Sequence, residues 1–118
     1  MSADALVEAL SCTIETRDDG AVIYRNAEWQ LHRTHGPAMM HPDGAERWYQ
    51  NGLLHRIGGA AIIYPSGVKG WYQNGLLHRT DGPAVVFPTG DQHWFLNGEE
   101  FCEEEFNRRI ASGEYRDP

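Results

Sequence analysis

Three of the six histidines, His32, His55 and His78, stand 23 residues apart, and an arginine follows each one. An imidazole beside a carboxylate or a second imidazole can hold a transition metal or move a proton near neutral pH. The spacing weighs against both uses. Residues that recur at one point of a repeating unit are strung out along it instead of converging. Each imidazole is therefore expected to face an aromatic ring across two strands and to hydrogen-bond backbone. His35, His41 and His93 have no ligand-like partner set. There is no G-x-S-x-G elbow, no cysteine with a positioned histidine, no phosphate-cradling loop, and no acid pair at helical spacing within residues 20–98. Cys12 and Cys102 are neither a zinc set nor a disulfide framework, and are expected to be reduced and mostly structural. No catalytic residue, metal site, cofactor or enzymatic activity is expected.

Charge points instead to recognition. The 118 residues include 17 acids and 10 bases, for a net charge of −7. Within 20–98, Glu28, Asp43, Glu46, Asp81 and Asp91 nearly balance Arg25, Arg33, Arg47, Arg56, Lys69 and Arg79, so the excess lies at the two ends. Glu99, Glu100, Glu103, Glu104 and Glu105 are its densest group. Such a charge repels duplex DNA and anionic membranes as direct partners. The glutamates suit a basic protein, with a nucleic-acid-binding host protein among the candidates. They equally suit a helix N-terminus and solubility. No apolar run exceeds Ala60–Tyr64, and no signal-peptide pattern opens the chain, so a cytoplasmic location is expected.

The elements that carry these residues repeat. Trp48, Trp71 and Trp94 fall in register, as do Asn51-Gly52, Asn74-Gly75 and Asn97-Gly98, and QNGLLHR occurs identically from Gln50 and from Gln73. Gly36-Pro37-Ala38, Gly59-Ala60-Ala61 and Gly82-Pro83-Ala84 recur too, followed by Pro42-Asp43-Gly44, Pro65-Ser66-Gly67 and Pro88-Thr89-Gly90. Asn-Gly favours a two-residue type I′ hairpin, and Pro-x-Gly a longer turn, so each unit reads as two strands and two turns. Counting outward from Asn-Gly pairs Gln50 with Leu53, Tyr49 with Leu54, Trp48 with His55 and Trp71 with His78. In the last unit Trp94 meets Phe101 in place of histidine. Arg25–Trp29 has one extra residue and no Asn-Gly, and reads as a degenerate first unit. Helices are expected over residues 2–10 and over Glu99–Ile110. The chain then reads as a single domain: an N-terminal cap (1–19), a hairpin array (20–98), and a C-terminal helix and tail (99–118).

The pattern W-x-x-N-G-x-x-H-x-x-x-G followed by P-x-G resembles MORN repeats. Its W-Y-x-N-G-x-x-H-R-x-D-G-P-A form is similar to repeats of phage, giant-virus and bacterial proteins. The copy holding Trp71, Asn74, Gly75, His78, Gly82, Pro88 and Gly90 carries it in full, whereas Ile57-Gly58-Gly59-Ala60 departs from it and the Y-x-G-x-W opening is missing. The resemblance implies a mainly β fold, an elongated antiparallel meander of hairpins with short helices at both ends. It further implies scaffolding, self-association or protein binding. Tyr49, Tyr72 and Phe95 should line one face as candidate partner-binding residues, beside the acidic candidates Glu99, Glu100, Glu103, Glu104 and Glu105. Trp48, Trp71, Trp94, His32, His55, His78, Gly52, Gly75 and Gly98 should be structural. The expected function is a phage-encoded, non-enzymatic protein-binding module that acts as a homodimer against a host defence system, an anti-CRISPR role being one case. A structural scaffold and an antitoxin or immunity protein are the alternatives.

Overall fold

The computed structural model describes residues 13–115. The helix expected over residues 2–10, and Cys12, lie outside them. The strands are β1 (Thr13–Thr16), β2 (Val22–Arg25), β3 (Met39–Met40), β4 (Glu46–Arg47), β5 (Tyr49–Gln50), β6 (Leu53–Leu54), β7 (Ile62–Ile63), β8 (Lys69–Gly70), β9 (Tyr72–Gln73), β10 (Leu76–Leu77), β11 (Val85–Val86), β12 (Gln92–Leu96) and β13 (Glu99–Phe101), followed by the helix α1 (Glu103–Ala111). The fold is mainly β. Nine strands form one antiparallel sheet in the order β1-β2-β3-β4-β7-β8-β11-β12-β13, and β5-β6 and β9-β10 are separate hairpins.

Each unit therefore holds four short strands, not two, because the chain changes partner at its tryptophan. The Trp48 N–H donates to the Ala61 carbonyl at 2.7 Å, while the Trp48 carbonyl accepts from His55 N–H at 3.0 Å. Glu46–Arg47 thus belongs to the long sheet and Tyr49–Gln50 to the Asn-Gly hairpin. In the last unit β12 runs unbroken through Trp94.

Both turns work as their residues require. Asn51 and Gly52 have φ of 51° and 81°, which brings Tyr49 opposite Leu54 and Gln50 opposite Leu53. At Pro65-Ser66-Gly67, Gly67 N–H donates to the Tyr64 carbonyl at 2.9 Å and Tyr64 N–H to the Val68 carbonyl at 3.0 Å, a type I turn closed by a left-handed glycine. Asp43 and Asp19 tighten the equivalent turns by accepting from Ala45 and Ala21 N–H, each at 2.9 Å.

Successive Asn-Gly hairpins are stitched by backbone. Arg56 N–H donates to the Tyr72 carbonyl at 3.1 Å and Gly75 N–H to the Leu54 carbonyl at 2.8 Å, and the same pair of bonds recurs one unit earlier and one unit later. The core is thin. Its fully buried residues are mostly alanines, Ala21, Ala38, Ala45, Ala60, Ala61 and Ala84, joined by Ile23, Leu96 and Phe106. The radius of gyration is 15.7 Å, against about 13.5 Å for a compact chain of this length, so the repeats add along an axis.

Both ends differ from expectation. β1 lies within the segment assigned to the N-terminal cap and pairs along its whole length with β2. The C-terminal helix begins at Glu103 and not at Glu99, because Asn97-Gly98 turns the chain back and Glu99–Phe101 becomes β13, with Phe101 opposite Trp94. The irregular first unit is closed by Asn26, whose Oδ1 accepts from Glu28 and Gln30 N–H, and Trp29 takes a φ of 63° in its loop.

Candidate functional site

Strand alternation sorts the repeated side chains onto two faces. On one lie Trp48, Trp71 and Trp94; on the other lie Tyr49, Tyr72 and Phe95, together with Ile62, Tyr64, Val85 and Phe87.

On the tryptophan face the three repeated histidines hydrogen-bond backbone. His32, His55 and His78 each accept through Nδ1 from the backbone N–H of the next unit's turn asparagine, Asn51, Asn74 and Asn97, at 3.0, 3.0 and 2.9 Å. The side chain lying flat on the ring, however, is the arginine. Arg56 Cζ is 3.7 Å from the Trp48 ring centroid, Arg79 Cζ is 3.9 Å from that of Trp71, and Arg33 Cζ is 4.1 Å from that of Tyr24. Each guanidinium reaches back over its own loop: Nη1 of Arg33, Arg56 and Arg79 donates to the carbonyl of Pro37, Ala60 and Pro83. The far side of each arginine is closed by a glycine. A Cβ on Gly36, Gly59 or Gly82 would lie 2.7, 2.7 or 2.9 Å from the guanidinium carbon. The recurrence of Gly three residues after each His-Arg was the visible signal of this packing. In the last unit Cys102 stands in the arginine's place, and Phe106 and Ile110 of α1 line one groove with Trp94. Cys102 itself is a free, exposed cysteine.

The opposite face is apolar. Tyr72 lies against Gly70, where a Cβ would sit 3.0 Å from its ring, and a groove of about 110 Å³ runs between Ile62, Tyr64, Val68, Tyr72 and Val85. Burial pushes the Tyr72 phenol's pKa up, and the neighbouring Tyr64 and Tyr49 hydroxyls add to the shift. Tyr64 and Phe87 are exposed at its margin, Phe87 meeting His93 edge-on at 5.9 Å. Tyr49, Tyr72 and Phe95 are half-buried and in register, one per unit. Sequence reasoning missed Tyr64 and Phe87, each of which immediately precedes a Pro-x-Gly turn.

The acidic candidates are divided between β13 and α1. Glu99 and Glu100 lie on β13, and Glu100 meets His93 Nδ1 at 2.8 Å. Glu105 is engaged by Arg108 at 2.6 Å and Arg109 at 2.8 Å; the Arg109 hydrogen bond foremost holds its carboxyl below the usual range. Glu103 and Glu104 are exposed on the first turn of α1. Among the described residues, no three of His, Cys, Asp and Glu converge on a common point that could hold a metal ion, and no helix is long and apolar enough to cross a membrane. Gly52, Gly75 and Gly98 combine positive φ with close approach of Gln30, Leu53 and Leu76 from the preceding unit. Set against protein-family models, curated proteins and solved structures, the chain matches none.

Proposed function

We propose that the chain is a protein-binding module with no reaction of its own and that its contact surface is the aromatic face. The observation that carries this is the apolar groove between Ile62, Tyr64, Tyr72 and Val85, half-buried except for Tyr64, with Phe87 exposed one unit further on. Apolar patches with polar rims mark interaction sites, and tyrosines supply rigid contact area at low entropic cost. Membership among MORN-like repeats, of the form similar to those of phage proteins, belongs to the same proposal. In that setting the partner is a host defence protein met in the cytoplasm, bound by one chain or by a homodimer. The exposed Glu103 and Glu104 would then steer a basic target without forming the main contact.

The test is a pull-down from host lysate with three chains: the natural protein, a Tyr64→Ser and Phe87→Ser variant, and a Glu103→Lys and Glu104→Lys variant. One partner that survives high salt, is lost with the aromatic variant and is kept by the charge variant is the expected result. A partner shed at high salt and lost with the charge variant would move the contact to the acidic end. Recovery of the chain alone would favour a scaffold built by self-association.

A further inference from the structure

On the tryptophan face a pocket of about 170 Å³ lies between two units, lined by Arg56, Gly58, Trp71, His78, Arg79 and Asp81. Its two arginines are built alike but are not equally satisfied. Arg79 Nε donates to Asp81 Oδ1 at 2.7 Å, an ion pair supplied from two residues downstream. The residue two downstream of Arg56 is Gly58, which has no side chain to offer, and among the described residues the one hydrogen-bonded partner of the Arg56 guanidinium is the Ala60 carbonyl. The Arg56 fork is nevertheless fixed, held 3.7 Å over Trp48 on one side and against Gly59 on the other. A guanidinium held flat with donors to spare binds carboxylates with little further ordering. The lining carries two cations against one anion, a local positive site on an acidic chain.

We propose that the free donors of Arg56 form a second recognition site, on the face opposite the aromatic contact surface, for a carboxylate presented by an acidic side chain of a bound protein. Arg79–Asp81, one unit further on, shows the geometry that this ligand adopts. The inference goes beyond the binding reading and does not rest on the aromatic face. The site itself stands or falls without any partner.

The Nε–Hε resonances of Arg56 and Arg79 test it, followed by NMR in the full chain as acetate is added at constant ionic strength. The Arg56 signal should move and saturate while that of Arg79 stays several-fold less responsive. In Asp81→Ala, a change at an exposed side chain that removes the acceptor, Arg79 should gain the response that Arg56 already has. An acetylated Asp-Glu dipeptide amide should act like acetate, and its Asn-Gln counterpart should not. Equal response of the two arginines in the natural chain, no response at either, or an equal shift with inorganic phosphate would overturn the carboxylate site. A saturating acetate response combined with no effect of the Asp-Glu peptide would overturn the protein source alone. Loss of the partner in the pull-down leaves the acetate result untouched, so the two readings fail separately.

Discussion

One methyl group decides whether an arginine can lie on its tryptophan. A Cβ on Gly59 would stand 2.7 Å from Arg56 Cζ and 2.8 Å from Nε, so Gly59→Ala must push the guanidinium off Trp48. Gly59 is not among the residues with positive φ, so the cost is crowding and not backbone strain. A loss of up to about 1 kcal/mol is expected, the worth of the displaced cation–π contact, since the guanidinium is the far end of a flexible side chain and can swing away. It should largely vanish in an Arg56→Ala background, where the space is open; urea unfolding of the four chains gives the coupling. Equal losses in both backgrounds would detach Gly59 from the arginine. The histidines make a second residue-scale prediction. Because each Nδ1 accepts a backbone N–H, the neutral rings of His32, His55 and His78 must carry their proton on Nε2, which ¹⁵N spectra read directly. His55→Ala should cost about 1 kcal/mol, the worth of one such bond. The Trp–His register was legible because a two-residue turn leaves no freedom in counting. The Arg–Trp stack was not, since strand alternation does not show a long side chain folding back over its own loop.

Elements were legible where a turn type fixes the pairing, and illegible where the chain changes partner. Asn-Gly specified the register of β5-β6 and β9-β10, and the Trp94–Phe101 pairing of β12-β13. The division of each long strand at Trp48 and Trp71 has no signature in hydrophobic alternation, because the residues on both sides of the break are β-formers. The start of α1 was displaced for a physical reason: Glu99 and Glu100 look like the acidic first turn of a helix, but Asn97 and Gly98, with φ of 52° and 84°, commit them to a hairpin. Charge on this last strand also disfavours addition of a further strand. Within α1, Glu105 is the residue to test. Its carboxyl is held below the ordinary carboxylate range by its hydrogen bond to Arg109, with the Arg108 and Arg109 charges adding and burial opposing. A depressed folded-state pKa stabilises above the unfolded value, and that contribution disappears as pH falls through the folded value. Glu105→Gln should therefore lower stability near neutral pH, and the gap from the natural chain should close as acid protonates Glu105. A gap that is constant with pH would assign the effect to helix propensity.

The whole molecule is an array in which each unit leans on its neighbours through the same few contacts: two backbone bonds between Asn-Gly hairpins, one imidazole bond to the next turn, and one ladder step in the long sheet. With so little buried beyond alanine, stability must come from repetition of these contacts and not from one central core. Removing a unit in phase should then leave a foldable chain. Deleting Trp48–Gly70 joins Arg47 to Trp71 at the point where Gly70 stood, restores every inter-unit contact with the next copy, and takes 23 of 118 residues away. The shortened chain should unfold cooperatively, with less stability and a urea dependence about four-fifths that of the natural protein, since that slope follows the surface exposed. Deleting Trp48–Lys69, one residue fewer, shifts every side chain beyond the junction to the opposite face and should abolish cooperative unfolding. Circular dichroism and urea titration of the two deletions compare them directly. If both fold equally well, the units are not held by register, and the alternation that separates the tryptophan face from the tyrosine face cannot be what organises the array.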